Sequence, residues 1–234
     1  MLSFFYLCGN STKKNTLTMG KLFILCALLF QFLSPVYSQQ TDTDVIKPSM
    51  KYGKPTEEEL KMTTYAPDTA ATAVVLYTRN NARYDLLNND FRLVYTYEVK
   101  IKVLKSEGTS YADIIIPYYS KEKAGGTMKE NITQLDASAY NLEDGKIVRT
   151  KMKRDLVFEE RLNKNYMQIK FSIPAVREGT VFEYKYQLNS DFYYSINHWE
   201  AQRSIPVIHT QYDITIPALL QRQQPCASRR TAEY

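Results

Sequence analysis

Residues 171–217 read FSIPAVREGTVFEYKYQLNSDFYYSINHWEAQRSIPVIHTQYDITIP, and this stretch decides the fold class. Within it, Phe182, Tyr184, Tyr186 and Leu188 alternate with Val181, Glu183, Lys185 and Gln187. Successive strand side chains point to opposite faces. The pattern therefore predicts an aromatic face turned to a core and a charged face turned to water. A turn over 176–179 precedes this strand, and its Gly179 can take a positive φ at low cost. Residues 208–216 repeat the alternation. Ile208, Thr210, Tyr212, Ile214 and Ile216 share one face, and His209, Gln211, Asp213 and Thr215 the other. Pro206 and Pro217 bracket the segment, because proline cannot donate to a ladder.

Outward from there, residues 91–105 form the longest alternating run. Leu93, Tyr95, Tyr97, Val99, Ile101 and Val103 lie on one face, with Arg92, Thr96, Glu98, Lys100 and Lys102 on the other. This predicts a half-buried antiparallel strand. Residues 73–78 predict a short apolar strand. Residues 79–90, with Asn80-Asn81 and Asn88-Asn89, predict a turn-rich connector. Ile114, Ile115 and Ile116 suit a buried strand. Residues 128–142 and 147–152 form a hairpin across Asp144-Gly145. Residues 156–160 and 166–173 form a second one. Thr56 and Glu59 have capping-box spacing, so a short helix starts there. The acids Glu57, Glu58 and Glu59 fit its N-terminal dipole better than a metal site. Turn signals every ten residues or so, with little helix, indicate an all-β protein: an antiparallel β-sandwich or related barrel with one short N-terminal helix.

The 234-residue chain has a formal charge of +5. Lys13, Lys14 and Lys21 fall in residues 1–38, which hold no acid, so 27 basic and 25 acidic residues remain, a net of +2. That balance gives no argument for nucleic acid on charge alone, and none is expected as a partner of an exported chain. Met19 opens a clean leader: Lys21, an apolar run to Leu33, and Val36 and Ser38 placed for cleavage before Gln39. The run is shorter than the ~20 residues that span a bilayer, which predicts an export signal over 1–38 and no transmembrane span in the mature chain. Residues 39–72 are expected to be a mobile linker followed by the short helix, 73–217 the β-sandwich domain, and 218–234 an irregular tail, frameshifted or truncated. Of Cys8, Cys26 and Cys226, only the last lies outside the leader, so no internal disulfide and no clustered-cysteine metal site is expected.

The candidate binding residues are Phe192, Tyr193, Tyr194 and Trp199, an aromatic patch on which sugar rings could stack. The competing reading is that they fill an edge between two sheets, burying the ring and keeping a polar handle wet. His198 and His209 have no fixed carboxylate partner and read as surface residues. Glu159 and Glu160 are adjacent on a strand and face opposite ways, so they make no dyad. Lys146, Arg149, Lys151, Lys153 and Arg154 form a basic strand edge of the kind that deters aggregation. Gly125-Gly126 is followed by no Gly-Lys-Ser/Thr, so it is not a phosphate loop. No cofactor and no metal is expected.

Three segments together carry a family resemblance: 140–148 (YNLEDGKIV) with 155–160; 165–171 with 173–186 (IPAVREGTVFEYKY); and Trp199 with 202–207 and 212–217. Over residues 57–217 the chain resembles the bacterial family called domain of unknown function 3857. The resemblance implies a secreted or periplasmic protein of a Gram-negative bacterium. It also implies a β domain that precedes a transglutaminase-like domain with a Cys-His-Asp triad. In that family the nucleophilic cysteine comes before the histidine. Here no histidine or aspartate follows Cys226, so no catalytic residue carries over. The expectation is a non-catalytic accessory domain, its partner a transglutaminase-like domain or protein. The alternative is a stand-alone module for glycan or peptide.

Overall fold

The structure, a computed structural model, describes residues 46–87, 90–121 and 128–221. The expected leader over 1–38, Gly125-Gly126 and Cys226 lie outside the described residues. In chain order the elements are α1 (Glu57–Lys61), β1 (Ala73–Leu87), β2 (Asp90–Val103), β3 (Asp113–Tyr119), β4 (Glu130–Glu143) and β5 (Lys146–Lys151). There follow β6 (Phe158–Arg161), β7 (Tyr166–Ser172), β8 (Val181–Ser190), β9 (Thr210–Thr215) and the single turn α2 (Ala218–Gln221).

The strands form two open sheets, β5-β4-β8-β2-β1-β9 and β3-β7-β6. Pairing is antiparallel except at the edge, where β9 runs parallel to β1. The fold is therefore a β-sandwich with a mixed larger sheet, and neither sheet closes into a barrel. The alternating aromatic and aliphatic residues form the core between the sheets. Leu93, Tyr95, Val99 and Ile101 of β2 and Phe182, Tyr184 and Leu188 of β8 meet Ile114, Ile116, Ile169 and Phe171 of the smaller sheet. Ile115 departs from the expected buried run. It lies on the outer face and is 58% exposed, because a strand with only one face on the core cannot bury three residues in a row.

Two turns form as their residues require. Asp144 and Gly145 both take positive φ, 48° and 74°, the left-handed pair that matches the twist of the β4–β5 hairpin. Gly179 has φ 85°. Residues 79–87 of the expected connector are instead strand, β1 continuing to Leu87 in register with β2, while Asn88-Asn89 lies outside the described residues. Cross-strand pairing overrides the turn preference of Asn80-Asn81.

The charged face is the main correction. Lys100, Lys102 and Glu183 were expected in water, yet each is fully buried. The residues expected as a linker cover that face from position 46 onward. The Thr56–Glu59 capping box forms, and the Glu59 carboxylate also accepts from Ser49 N at 2.7 Å. Lys100 Nζ donates to Ser49 O at 2.9 Å and lies 3.5 Å from Glu59. Lys102 Nζ donates to Leu60 O and Gly179 O, both at 2.6 Å. Glu183 accepts from Gly53 N at 2.5 Å and Tyr140 Oη at 2.7 Å. Beside these polar links, Leu60 packs with Val74, Leu76, Tyr140 and Val181 in a second apolar cluster.

Burial raises the carboxyl pKa of Glu183, opposed by the Tyr140 hydrogen bond and by Lys100. Burial lowers the Lys100 ammonium, with Glu59 acting in opposition. Lys102, further from a carboxylate, is lowered to about 8, again by burial. An unfolded lysine titrates near ~10.4. Between these values the unfolded chain binds more protons, so the Lys102 contribution to stability rises with pH. From pH ~7.5 to ~9.5 it amounts to about 2 kcal/mol. Urea denaturation is expected to show that rise, and Lys102→Met to flatten it. Lys100→Met leaves Glu59 buried without its cation and is expected to cost about 3–5 kcal/mol, much of it recovered with Glu59→Gln.

Candidate functional site

The four aromatic candidates fall into two groups. Phe192, Tyr193 and Tyr194 lie just after β8, in the loop that opens with Asp191. That loop is tied down by the Arg92–Asp191 ion pair at 2.9 Å and by Lys129 N donating to Asp191. Phe192 meets Tyr119 edge to face at 5.1 Å, and Tyr119 meets Tyr166 at 5.7 Å. Tyr193 lies 6.3 Å from Phe91 and 5.9 Å from Tyr194, with the two tyrosine rings at 74°. The start of β2, the end of β3 and the start of β7 thus meet the loop in one aromatic end-cap. Tyr193 is 40% and Tyr194 65% exposed, with Leu86 and Tyr166 exposed as well.

Trp199 belongs elsewhere. Its ring lies 6.2 Å from Tyr97 and 5.5 Å from Tyr212, and Tyr97 stacks on Tyr186 at 4.8 Å. Its indole N–H donates to Thr210 Oγ1 at 3.1 Å. This cluster seats the crossover from β8 to β9 against the sheet. Tyr95 Oη accepts from Asn197 N at 2.9 Å and Tyr212 Oη donates to Asn197 O at 3.2 Å, which fixes the crossover's path. Burial pushes the Tyr97 hydroxyl up to about 12 and that of Tyr186 well above its ordinary value, so both stay neutral. Trp199 packs on tyrosines of the larger sheet alone. For Tyr193 and Tyr194 the geometry leaves two rings in solvent, set as the walls of a corner.

Sequence reasoning missed Phe91, Tyr119 and Tyr166 as members of the end-cap. They come from three distant strands, and only the fold brings them together. No periodicity within one segment could have marked them.

His198 and His209 are both exposed, and the backbone of His209, not its ring, is used: its carbonyl accepts from Thr78 N at 2.9 Å. Glu160 pairs with Lys170 and accepts from Gln168. Glu159 turns to the opposite face and bonds Tyr118, so the two acids form no dyad. Among the described residues no cluster of three or more His, Cys, Asp or Glu side chains is arranged to hold a metal.

On the outer face of the smaller sheet, Ile115, Lys170 and Phe158 stand in one row across β3, β7 and β6. Ile115, Phe158 and the neighbouring Leu156 are exposed and rim a mostly apolar groove of about 390 Å³ floored by Ile114 and Phe171.

Residues 89–232 match the model of the family described as "Domain of Unknown Function with solved-structure structure (DUF3857)". Among solved structures, a "putative protease" from Parabacteroides distasonis is similar at 12% identity and a TM-score of 0.45. The similarity covers 63% of this chain and 29% of that one, so the chain spans less than a third of that protein's length. No curated protein matches.

The two aromatic groups are expected to respond differently to substitution. Trp199→Phe removes a hydrogen bond and part of a packed ring, and is expected to destabilise by about 1–2 kcal/mol. Tyr194→Ala is expected to change stability by less than about 0.5 kcal/mol. Urea titration of both variants checks this.

Proposed function

The chain belongs to the DUF3857 family, and from that premise we propose that it is a non-catalytic, exported β domain. It serves as an accessory to a transglutaminase-like, cysteine-peptidase-like domain. The observation that carries this reading is the use made of its ionisable groups. The four fully buried charged residues among those described, Glu59, Lys100, Lys102 and Glu183, are all engaged where residues 46–62 meet the larger sheet. Nucleophilic catalysis needs a nucleophile and a base within hydrogen-bond reach, oriented by a third group. The exposed His198 and His209 supply no such set among the described residues.

An accessory domain needs a contact surface. The exposed row of Ile115 and Phe158, with Leu156 beside it, supplies one. Export rests on the leader pattern of residues 19–38. No helix among the described residues is long and apolar enough to cross a membrane.

A second reading, a glycan-binding module, is favoured by the solvent-facing corner of Tyr193 and Tyr194. Trp199 has no part in it.

The test is co-elution of this domain with a transglutaminase-like domain encoded beside it. A complex is expected, and Ile115→Glu with Phe158→Glu is expected to dissolve it without lowering the urea midpoint. Peptide turnover by the isolated domain, lost on His198→Ala or His209→Ala, would overturn the non-catalytic reading. For the second reading, calorimetric titration with oligosaccharides is expected to give heat that Tyr194→Ala abolishes. Silence in the wild type sinks it.

A further inference from the structure

Four strand edges are open among the described residues: β5 and β9 in the larger sheet, β3 and β6 in the smaller. They are not equivalent. β3 carries Pro117, β6 is four residues long, and β9 sits between Pro206 and Pro217 and bears no cation. β5, of sequence KIVRTK, has six residues and no proline. It also exposes an apolar residue on each face, Ile147 at 40% and Val148 at 39%.

The register fixes which backbone groups are free. Met152 N donates to Ala137 O, and antiparallel ladders alternate bonded and non-bonded pairs. Lys146, Val148 and Thr150 therefore bond inward to β4. Ile147, Arg149 and Lys151 turn their N–H and C=O groups outward.

The side chains of those three residues share the sheet face of Ser138 and Tyr140. Arg149 Nε donates to Ser138 Oγ at 3.0 Å, and its guanidinium lies 5.7 Å from the Tyr140 ring. On the same face, where β5 ends, a cleft of about 400 Å³ is lined by Gln134, Leu135, Asp136, Lys151, Arg154 and Lys185, among others. Asp136 is its one acid and is already engaged, by Lys151 at 3.0 Å, Arg149 at 3.8 Å and Tyr52 Oη at 3.1 Å. Lys185 Nζ rests 4.5 Å from the centre of the Tyr52 ring. Arg154 and Lys185 have no carboxylate partner among the described residues. The cleft thus holds a surplus of positive charge beside an open strand edge.

We propose that β5 is a docking edge for an extended peptide segment of a partner, one that alternates acidic and apolar residues. The segment adds as a seventh strand. Its backbone bonds Ile147, Arg149 and Lys151, and its acidic side chains lie on their face and reach toward Lys151 and Arg154. Strand addition draws affinity from main-chain bonds and specificity from alternate side chains. The cations that deter pairing with a second copy of the same edge attract a strand of opposite charge. The segment is independent of the proposed partner domain, whose contact lies on the other sheet.

The probe is the peptide acetyl-Glu-Val-Glu-Val-Glu-Val-amide, titrated into the full chain and followed by amide NMR and calorimetry. Saturable binding is expected, with slowed exchange of the Ile147, Arg149 and Lys151 amides. Arg154→Glu is expected to weaken it by about 10-fold. Ile147→Pro removes one outward donor without removing a cation, and edge strands tolerate proline at such positions. It is expected to weaken binding while the urea midpoint holds. The peptide N-methylated on alternate amides is expected not to bind. No saturable binding overturns the proposal. So does binding indifferent to both N-methylation and Ile147→Pro, which marks a diffuse polyanion surface, and so do shifts confined to the Tyr193–Tyr194 corner.

Discussion

Burying charge on the second face of a β-sheet is the constraint on which the rest of this structure depends. A carboxylate or ammonium removed from water costs several kcal/mol unless partners replace its hydration. Here Lys100, Lys102, Glu183 and Glu59 lie beyond the reach of solvent, and nearly every polar atom they carry is matched by a backbone group or an opposite charge. Most of those partners come from residues 46–62, about forty positions before the lysines they serve, with Gly179 O and Tyr140 Oη supplying the rest. The Thr56–Glu59 capping box therefore does two jobs. It starts the helix, and it holds the Glu59 carboxylate where Lys100 needs it.

The two faces of the sheet thus obey different rules. The face toward the smaller sheet is held by apolar area and aromatic packing, non-directional and tolerant of exchange among residues of similar volume. The covered face is held by directional bonds to buried ions. Such bonds contribute little net stability against an apolar alternative, but breaking any one of them is costly. The geometry gives one register for the N-terminal segment, because Ser49, Gly53 and Leu60 each present a specific backbone atom to a specific side chain of the sheet. Gly108 adds a steric version of the same constraint: a Cβ there would stand 2.3 Å from Thr72 O, so the turn after β2 closes on that segment only with glycine.

Among the described residues the buried ionisable groups are committed to the fold, and the outer surface divides into distinct regions. These surfaces are physically distinct. The aromatic end-cap is apolar with hydroxyl handles, the outer face of the smaller sheet is aliphatic, and the β5 edge is basic with free backbone groups. Each suits a different kind of contact, and they lie on different parts of the sandwich.

Alternation along 91–105 and 181–188, the Asp144-Gly145 turn, Gly179 and the capping box determined the strands, their core face and the helix start. All of these are set by neighbours a few residues apart. Tertiary structure alone decided that Lys100 and Glu183 are buried. A charged face reads as a wet face unless something covers it, and the cover comes from a segment whose composition resembles a linker. Tertiary structure also carried β1 through Asn80-Asn81, since pairing with β2 outweighs local turn preference. It parted Trp199 from Phe192, Tyr193 and Tyr194, near neighbours in sequence that the crossover to β9 sends to different clusters. Local pattern determines which way a side chain points relative to its own strand. What waits on the other side of that strand is set by contacts distant in the chain, which no local pattern encodes.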